Sequence, residues 1–298
     1  MLGDLKNLKH YSNKNGLPIE VLAEMYQTES KFHAEILAES HFEKRQDLYS
    51  YVYNKSAELT EPYSKNYFDV LVVAKKKVLK VFKKEVIGKS VLDIGSGSGA
   101  FLYAIAKSGY PYKSLFGLDV KAPTLPSDDL AKEIACYQRN VIDFEVPQQF
   151  EIAILDNVYE HIAPADKDLF LKSITKSIEV GGKLILLIPN KLFGPTDWTV
   201  LKDNTFSGKI EANCLHLDET TFSEVIMTLT KYGFSNFKSP IPFIVLYKLN
   251  QLFPNFRLPS AFYAFLEDSW LIRALKKIKF KGKSVMRMEV SIIAERIK

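Results

Sequence analysis

The residues best placed to do chemistry lie in Asp93-Ile94-Gly95-Ser96-Gly97-Ser98-Gly99, where an acid precedes three glycines at alternate positions. Glycines so spaced let a backbone turn tightly and approach a ligand where a Cβ would collide. A short apolar stretch, residues 90–94, runs into the loop, and an amphipathic stretch from Ala100 runs out of it. A helix starting there offers unpaired N–H groups and the positive end of its dipole. The loop is expected to cradle an anionic or acceptor-rich small molecule. One candidate is a dinucleotide. Gly95-x-Gly97-x-x-Ala100 fits that fingerprint, and Asp119 lies where a ribose-binding acid is expected.

Alternating strands and helices must position this loop. Strands are expected at 90–94, 114–120 (ending near Asp119), 136–139, 151–155 and 183–188, the last stopped by Pro189. Helices are expected at 100–107, 126–134 and 165–179, with Asp166 and Asp168 in the first turn of the third. Continuous apolar strands between amphipathic helices predict a mostly parallel sheet covered on both faces. Thr221-Phe222-Ser223-Glu224 reads as a capping box opening another helix. Residues 237–245 and 290–296 supply the last two strands. Residues 17–57 and 68–82 read as helical, and the run Lys75 to Lys84 reads as a solvated helix surface.

Further motifs narrow the ligand. Leu155-Asp156-Asn157-Val158-Tyr159-Glu160-His161-Ile162, Val180-Gly181-Gly182 through Pro189-Asn190, and His216-Leu217-Asp218-Glu219-Thr220-Thr221 follow the loop in order. With Asp93 and the three glycines, they make the chain resemble the class I S-adenosylmethionine-dependent methyltransferases. The last block is similar to the branch found in bacterial surface-glycan and lipopolysaccharide gene clusters. The resemblance covers roughly residues 88–240 and 287–298 and does not reach the N-terminal helices or 246–286. It implies an α/β, Rossmann-like fold with a mostly parallel seven-stranded sheet. The expected organisation is a helical cover over 1–87 and a methyltransferase domain over 88–298. Segments 191–217 and 246–286 are expected as substrate-side lid insertions.

The same resemblance implies S-adenosyl-L-methionine as cofactor, leaving S-adenosyl-L-homocysteine. Asp93, Gly95, Gly97 and Gly99 would form the methionine cradle, and Asp119 would hold the ribose. Val120, Asn140 and Val141 would line the adenine, and Asp156 and Asn157 are further candidate cofactor contacts. Asn140 departs from the aspartate common in the family. Asp93 is also expected to brace the loop by accepting backbone N–H bonds. Methyl transfer to a hydroxyl gains from in-line positioning and from a general base. His161 and His216 are the candidate bases, with Glu160 as an orienting group. Tyr53, Asp197 and Trp198 are the candidate substrate contacts, and Tyr51 could face the sulfonium.

The expected reaction is O-methylation of a sugar hydroxyl on a glycan or lipid-linked intermediate. Alternatives are a small-metabolite methyltransferase of quinone or polyketide type, a dinucleotide-dependent oxidoreductase, and a non-catalytic cofactor-binding scaffold. The place of an Asp/Asn-Pro-Pro-aromatic block is taken by Asp156-Asn157-Val158-Tyr159, which argues against nucleobase methylation. A net charge of +5 over 298 residues is mild for a nucleic-acid binder. Cys136 and Cys214 show no metal-ligand spacing and no disulfide framework, so no metal site is expected. No signal-peptide pattern or spanning segment is read, and the expectation is a cytoplasmic protein. Residues 241–286, aromatic and then basic, suit a peripheral contact at the inner membrane face; the plainer reading is a folded cap with a basic rim.

Overall fold

The computed structural model describes residues 5–63, 67–276, 278–280, 283–284 and 287–298. Four helices come first: α1 (Leu8–Asn15), α2 (Ile19–Ala38), α3 (Phe42–Thr60) and α4 (Tyr67–Val86). Then follow β1 (Ser90–Ile94), α5 (Ala100–Ala106), β2 (Ser114–Asp119), α6 (Asp129–Lys132), β3 (Ile134–Gln138) and β4 (Phe150–Asp156). Next come α7 (Lys167–Ser177), β5 (Ile178–Pro189), α8 (Phe222–Lys231), β6 (Phe234–Ser239) and α9 (Tyr247–Leu252). The chain ends with β7 (Leu258–Pro259), α10 (Ser260–Glu267), α11 (Trp270–Leu275), β8 (Lys279–Phe280), β9 (Lys283–Ser284) and β10 (Glu289–Arg296).

The main sheet runs β3-β2-β1-β4-β5-β10-β6-β7. The first five strands are mutually parallel, and β10 enters antiparallel between β5 and β6. This mixed α/β architecture is a Rossmann-like methyltransferase fold. It has eight strands rather than the expected seven, because the two-residue β7 pairs antiparallel with the edge strand β6. The sixth strand also begins earlier than its apolar run, at Phe234, and residues 244–246 form a helical turn instead.

Strand alternation divides the core. Val91, Ile152, Ile154 and Ile185 face α4 and α5, while Leu92, Ala153, Leu155, Leu184 and Leu186 face the cluster containing Phe170, Phe222 and Val225. Successive strand residues point to opposite faces, so one parallel strand feeds both layers. The helix α4 therefore belongs to the sheet's packing. α1 and α2 form a third cluster with the 190–217 segment, through Tyr11, Leu22, Tyr26, Val200, Leu201 and Cys214. The long stretch without periodicity is thus ordered by the N-terminal helices. Asn7 clamps it further, its backbone N–H bonding Leu201 O at 3.0 Å and its Nδ2 bonding Val200 O at 3.0 Å.

Segment 246–286 was expected as a substrate-side lid; its described residues pack largely against the sheet edge and α4, and residues 277, 281–282 and 285–286 lie outside the described ones. α10 packs on α8 and β6, where Glu267 accepts hydrogen bonds from Asn190 Nδ2 (2.7 Å) and from the N–H groups of Phe222 (3.0 Å) and Ser223 (3.1 Å). A helix N-terminus has unpaired N–H groups, and a carboxylate from another element satisfies two of them here. Arg257 ties the same segment to α4 through Glu85 and the Val81 carbonyl. No described helix is long and apolar enough to cross a membrane.

Candidate active site

The glycine loop turns through left-handed backbone at Gly95 (φ 72°), Gly97 (φ 54°) and Gly99 (φ 80°). The Gly95 and Ser96 N–H groups donate to the Leu118 carbonyl at 2.8 and 2.9 Å, which binds the loop to the end of β2. A Cβ on Gly95 would stand 2.4 Å from Val158 Cγ2, whereas one on Gly97 would meet nothing within 4 Å. Gly95 is close-packed and Gly97 faces open space. Asp119, at the tip of β2, accepts Gly97 N–H at 2.7 Å through Oδ2 and Lys121 N–H at 2.9 Å through Oδ1. Each oxygen retains a free lone pair.

A cavity of about 240 Å³ lies over this loop, lined in part by Gly95, Gly97, Asp119, Val120, Asn140, Val141 and Asn157. Asn140 is already engaged, donating to Gln46 Oε1 at 2.9 Å and accepting Ile142 N–H at 2.7 Å. Asp93, Gly99 and Asp156 do not line the cavity. Asp93 is buried beneath the loop; among the described residues its carboxylate accepts no backbone N–H, and the Leu118 carbonyl does the expected bracing. Burial pushes its carboxyl up to about 7 against the opposing charge of Lys75. Gly99 sits under Leu125. Asp156 accepts from Lys75 Nζ at 2.6 Å and from Asn157 Nδ2 at 2.9 Å. One lysine of the run expected on a solvated face thus turns inward.

After β4 the chain makes a short turn, Tyr159–His161. His161 Nδ1 lies 2.9 Å from the Leu215 carbonyl. A carbonyl only accepts, so Nδ1 carries the proton and Nε2 remains an acceptor. Burial, reinforced by the charge of His216, holds His161 down to about 3, so its ring is neutral. The His216 ring stands edge-on to it, with centroids 4.8 Å apart. Burial alone would lower His216 as well. Its 2.7 Å hydrogen bond to Glu219 Oε1, with the charges of Glu160, Asp197 and Glu219, outweighs burial and raises it to about 9.

A folded-state value above the ordinary 6.5 means stability that is complete below about 6.5 and is lost as pH rises through about 9. Urea unfolding should therefore show a stability gap between wild type and His216→Gln that is open near pH 6.5 and closes toward pH 9. A gap that widens over that range contradicts the assignment.

Glu160 is fully buried, lines neither cavity, and has both carboxylate oxygens without a hydrogen-bond partner. Burial raises it to about 7. Glu160, His161 and His216 each offer one atom within 4.8 Å of the others, close enough to hold a metal ion. Spacing along the chain gave no hint of that trio, because its third member comes from the far side of β5.

A second cavity, of about 450 Å³, opens beside the first and shares Tyr53 and His161 with it. Asp197, Trp198 and His216 line it, so the sequence-predicted substrate contacts and bases meet there. Asp197 is largely committed to structure, accepting Thr199 N–H at 3.0 Å and Cys214 N–H at 2.7 Å. Tyr51 is exposed beside Phe32 and lines neither cavity. No described residue of 246–286 lines either one.

Tyr53 reaches the junction because α3 is clamped at two earlier turns. Arg45 and Asp166 form a buried pair, with Nε donating to Oδ2 at 3.0 Å, and Tyr49 OH accepts Ala163 N–H at 2.8 Å. Arg45, Tyr49 and Tyr53 recur every four residues, on one helix face. Sequence reasoning placed Asp166 as a helix-start acid and missed the pair. It also missed Glu29 and Arg287, both in the larger cavity. Burial raises Glu29 to about 7, with Ser56 Oγ donating to it at 3.2 Å. Neither residue sits in a motif, so no local signal marked them.

Comparison with known proteins gives a family match and distant relatives. A family model described as an O-methyltransferase domain matches residues 28–205, more than half of the chain. An uncharacterised methyltransferase of Bacillus mycoides is 22% identical over 107 residues, covering 34% of this chain and 49% of that protein. The matched region thus spans about half the length of this curated relative. Human N-acetylserotonin methyltransferase, solved in complex with S-adenosylmethionine, superposes with a TM-score of 0.51 at 16% identity, covering 83% of this chain and 58% of its own. A Burkholderia thailandensis 1,6-didemethyltoxoflavin-N1-methyltransferase is similar at 12% identity and a TM-score of 0.45, covering 83% and 90% of the two chains. At 16% identity the likeness to the human enzyme speaks for the fold alone.

Proposed function

Since the chain belongs to the O-methyltransferase domain family, we propose that it is an enzyme moving the methyl group of S-adenosylmethionine onto a sugar hydroxyl of a glycan or glycan intermediate. The observation that carries this reading is the junction: the two cavities share Tyr53 and His161. The smaller cavity suits the cofactor. Gly97 leaves space where any Cβ would intrude, and both Asp119 oxygens keep a lone pair for vicinal hydroxyls. Val120 and Val141 offer apolar surface for a base, beside the braced Asn140. The Leu118 carbonyl holds the loop, Gly99 packs under Leu125, and Asp156 holds Asn157. When bound, S-adenosylmethionine supplies an electrophilic methyl on a sulfonium.

The chain's own residues then have distinct duties. Tyr53 and His161 form the wall between donor and acceptor, so they orient the hydroxyl in line, where positioning is worth up to about 7–11 kcal/mol. Neutral His161 presents Nε2 to the hydroxyl and takes its proton as the new bond forms. Weak basicity suffices, because a hydroxyl oxygen gaining a methyl group becomes strongly acidic. His216, held protonated, cannot serve as that base below about pH 9; its charge and Glu160 set the field around His161. Trp198 supplies a face for a sugar ring. The larger cavity is lined by Asn15, Glu29, Ser56, Thr196 and Asp197 beside Tyr11, Trp198 and Phe206, and this mixture of polar groups and ring faces suits a sugar. In this reading α1–α3 cover the acceptor side of a transfer domain formed by residues 88–298, with 191–217 as its lid.

The test is transfer of labelled methyl from S-adenosylmethionine to a panel of cell-envelope glycans, lipid-linked intermediates and quinones. Transfer to quinones alone replaces the sugar reading, and cofactor binding without any transfer indicates a scaffold. Asp119→Ala should weaken S-adenosylhomocysteine binding by roughly 10- to 100-fold, the loss expected for hydrogen bonds to a charged group. Isothermal titration would read this, and an unchanged Kd removes Asp119 from the cofactor site. NAD should give no thermal stabilisation; stabilisation by NAD alone would sink the methyltransferase reading.

A further inference from the structure

The acceptor-side cavity contains a cation that makes no ion pair among the described residues. Arg287 lines it, half-buried, just before β10. Its guanidinium carbon stands 4.0 Å from the Phe206 ring centroid, and its carbonyl accepts Ile244 N–H at 3.0 Å. The ring and the backbone bond fix its direction. Among the described residues it donates no side-chain hydrogen bond and makes no ion pair, although a guanidinium carries five N–H donors. The titratable groups that act on it are Glu289, Tyr11 and Glu219, of which Tyr11 is a neutral phenol at ordinary pH. Glu219 is committed to His216 and Thr196, at 2.7 and 2.8 Å.

The carboxylates that line the cavity are committed, Asp197 to two backbone N–H groups and Glu29 to Ser56. Lys14 and His216 line the same cavity and add to its positive charge. A neutral acceptor filling this space would strip water from Arg287 and return no hydrogen bond, which is unfavourable. A planar anion would meet the fork of the guanidinium with two parallel N–H bonds.

We infer that the acceptor carries an anionic group, a carboxylate or a phosphate, which Arg287 holds while a hydroxyl of the same molecule faces His161. The inference rests on the methyl-transfer reading above and names the substrate class of that site. A cavity of about 450 Å³ has room for one sugar unit with its acid group. Arg287 then acts as a specificity determinant, selecting acidic sugars over neutral ones of the same shape.

The experiment has a binding arm and a turnover arm. In the first, protein saturated with S-adenosylhomocysteine is melted with glucuronate, galactose 6-phosphate or glucose, as wild type, Arg287→Gln and Arg287→Lys. Stabilisation by glucuronate or by the sugar phosphate, absent with glucose and in Arg287→Gln and partly regained in Arg287→Lys, supports the inference and tells carboxylate from phosphate. Equal behaviour of the three ligands overturns it. In the second, the kcat/KM ratio of acidic to neutral acceptor should fall by about 10- to 100-fold in Arg287→Gln. A ratio that does not move overturns the role of Arg287, since a merely structural defect lowers both rates together. Efficient transfer to neutral acceptors alone rejects the anion and leaves methyl transfer standing. S-adenosylhomocysteine binding with no transfer to any acceptor fails the methyl-transfer reading instead, and the binding arm then decides the anion by itself.

Discussion

Replacing His161 with Ala should lower methyl transfer by about 10²- to 10⁴-fold, the range for loss of a positioned general base, while S-adenosylhomocysteine binding changes little. His161 sits where the two cavities meet, with Nδ1 bonded to the Leu215 carbonyl and Nε2 free. It is neutral across the working pH range because burial and the His216 charge hold it near 3. Its own titration therefore adds no acid limb to the rate profile above about pH 4. His161→Asn is the companion variant: its amide can still donate to Leu215 but offers no imidazole base. Single-turnover rates with labelled cofactor separate the outcomes. If both variants keep wild-type rates, His161 is a wall residue only. Full activity in His161→Ala with none in Glu29→Gln would move the base to Glu29, which lines the acceptor cavity and is raised to about 7.

Asp166→Ala should destabilise the protein by about 3–5 kcal/mol, the loss seen when one partner of a buried ion pair is removed. Arg45 and Asp166 are both almost fully buried. Without the carboxylate, the guanidinium keeps its bond to the Glu39 carbonyl (2.7 Å) but carries an uncompensated charge. The double variant Arg45→Met/Asp166→Leu should recover most of the loss, because apolar groups of similar volume need no counter-charge. Urea unfolding of the three proteins checks both statements, and a cost below about 1 kcal/mol for Asp166→Ala would place the pair in water rather than in the core. A functional consequence follows from the spacing along α3. The pair anchors the same helix face that carries Tyr49 and Tyr53, so Asp166→Ala should also raise the acceptor KM more than it weakens cofactor binding.

The divide between what was legible and what was not follows the range of the forces. Left-handed turns at Gly95, Gly97 and Gly99, the acid closing β2 and the Thr221–Glu224 capping box are settled within a few neighbouring residues. Strand periodicity is equally local, and β1 matches its predicted span residue for residue. The glycine loop and the sheet could therefore be read along the chain. The larger cavity could not. Arg45 meets Asp166 across 121 positions, and His161 meets the Leu215 carbonyl across 54. Arg287 reaches Phe206 from the other side of the segment expected to be a lid.

That segment, 246–286, shows the same limit. Its aromatic residues could equally cover a substrate or an edge of the sheet, and the composition is the same for both. The position of β10 between β5 and β6 brings the described residues of the segment to that edge, since the segment must begin beyond β6 and return to the sheet's interior. The sequence alone determined the glycine loop and the alternation of strands and helices, because each rests on backbone conformation and short-range periodicity, while its motifs carried the family resemblance. Only the tertiary structure decided which side chains wall the larger cavity, because a cavity is made by residues whose proximity leaves no period, spacing or motif in the chain.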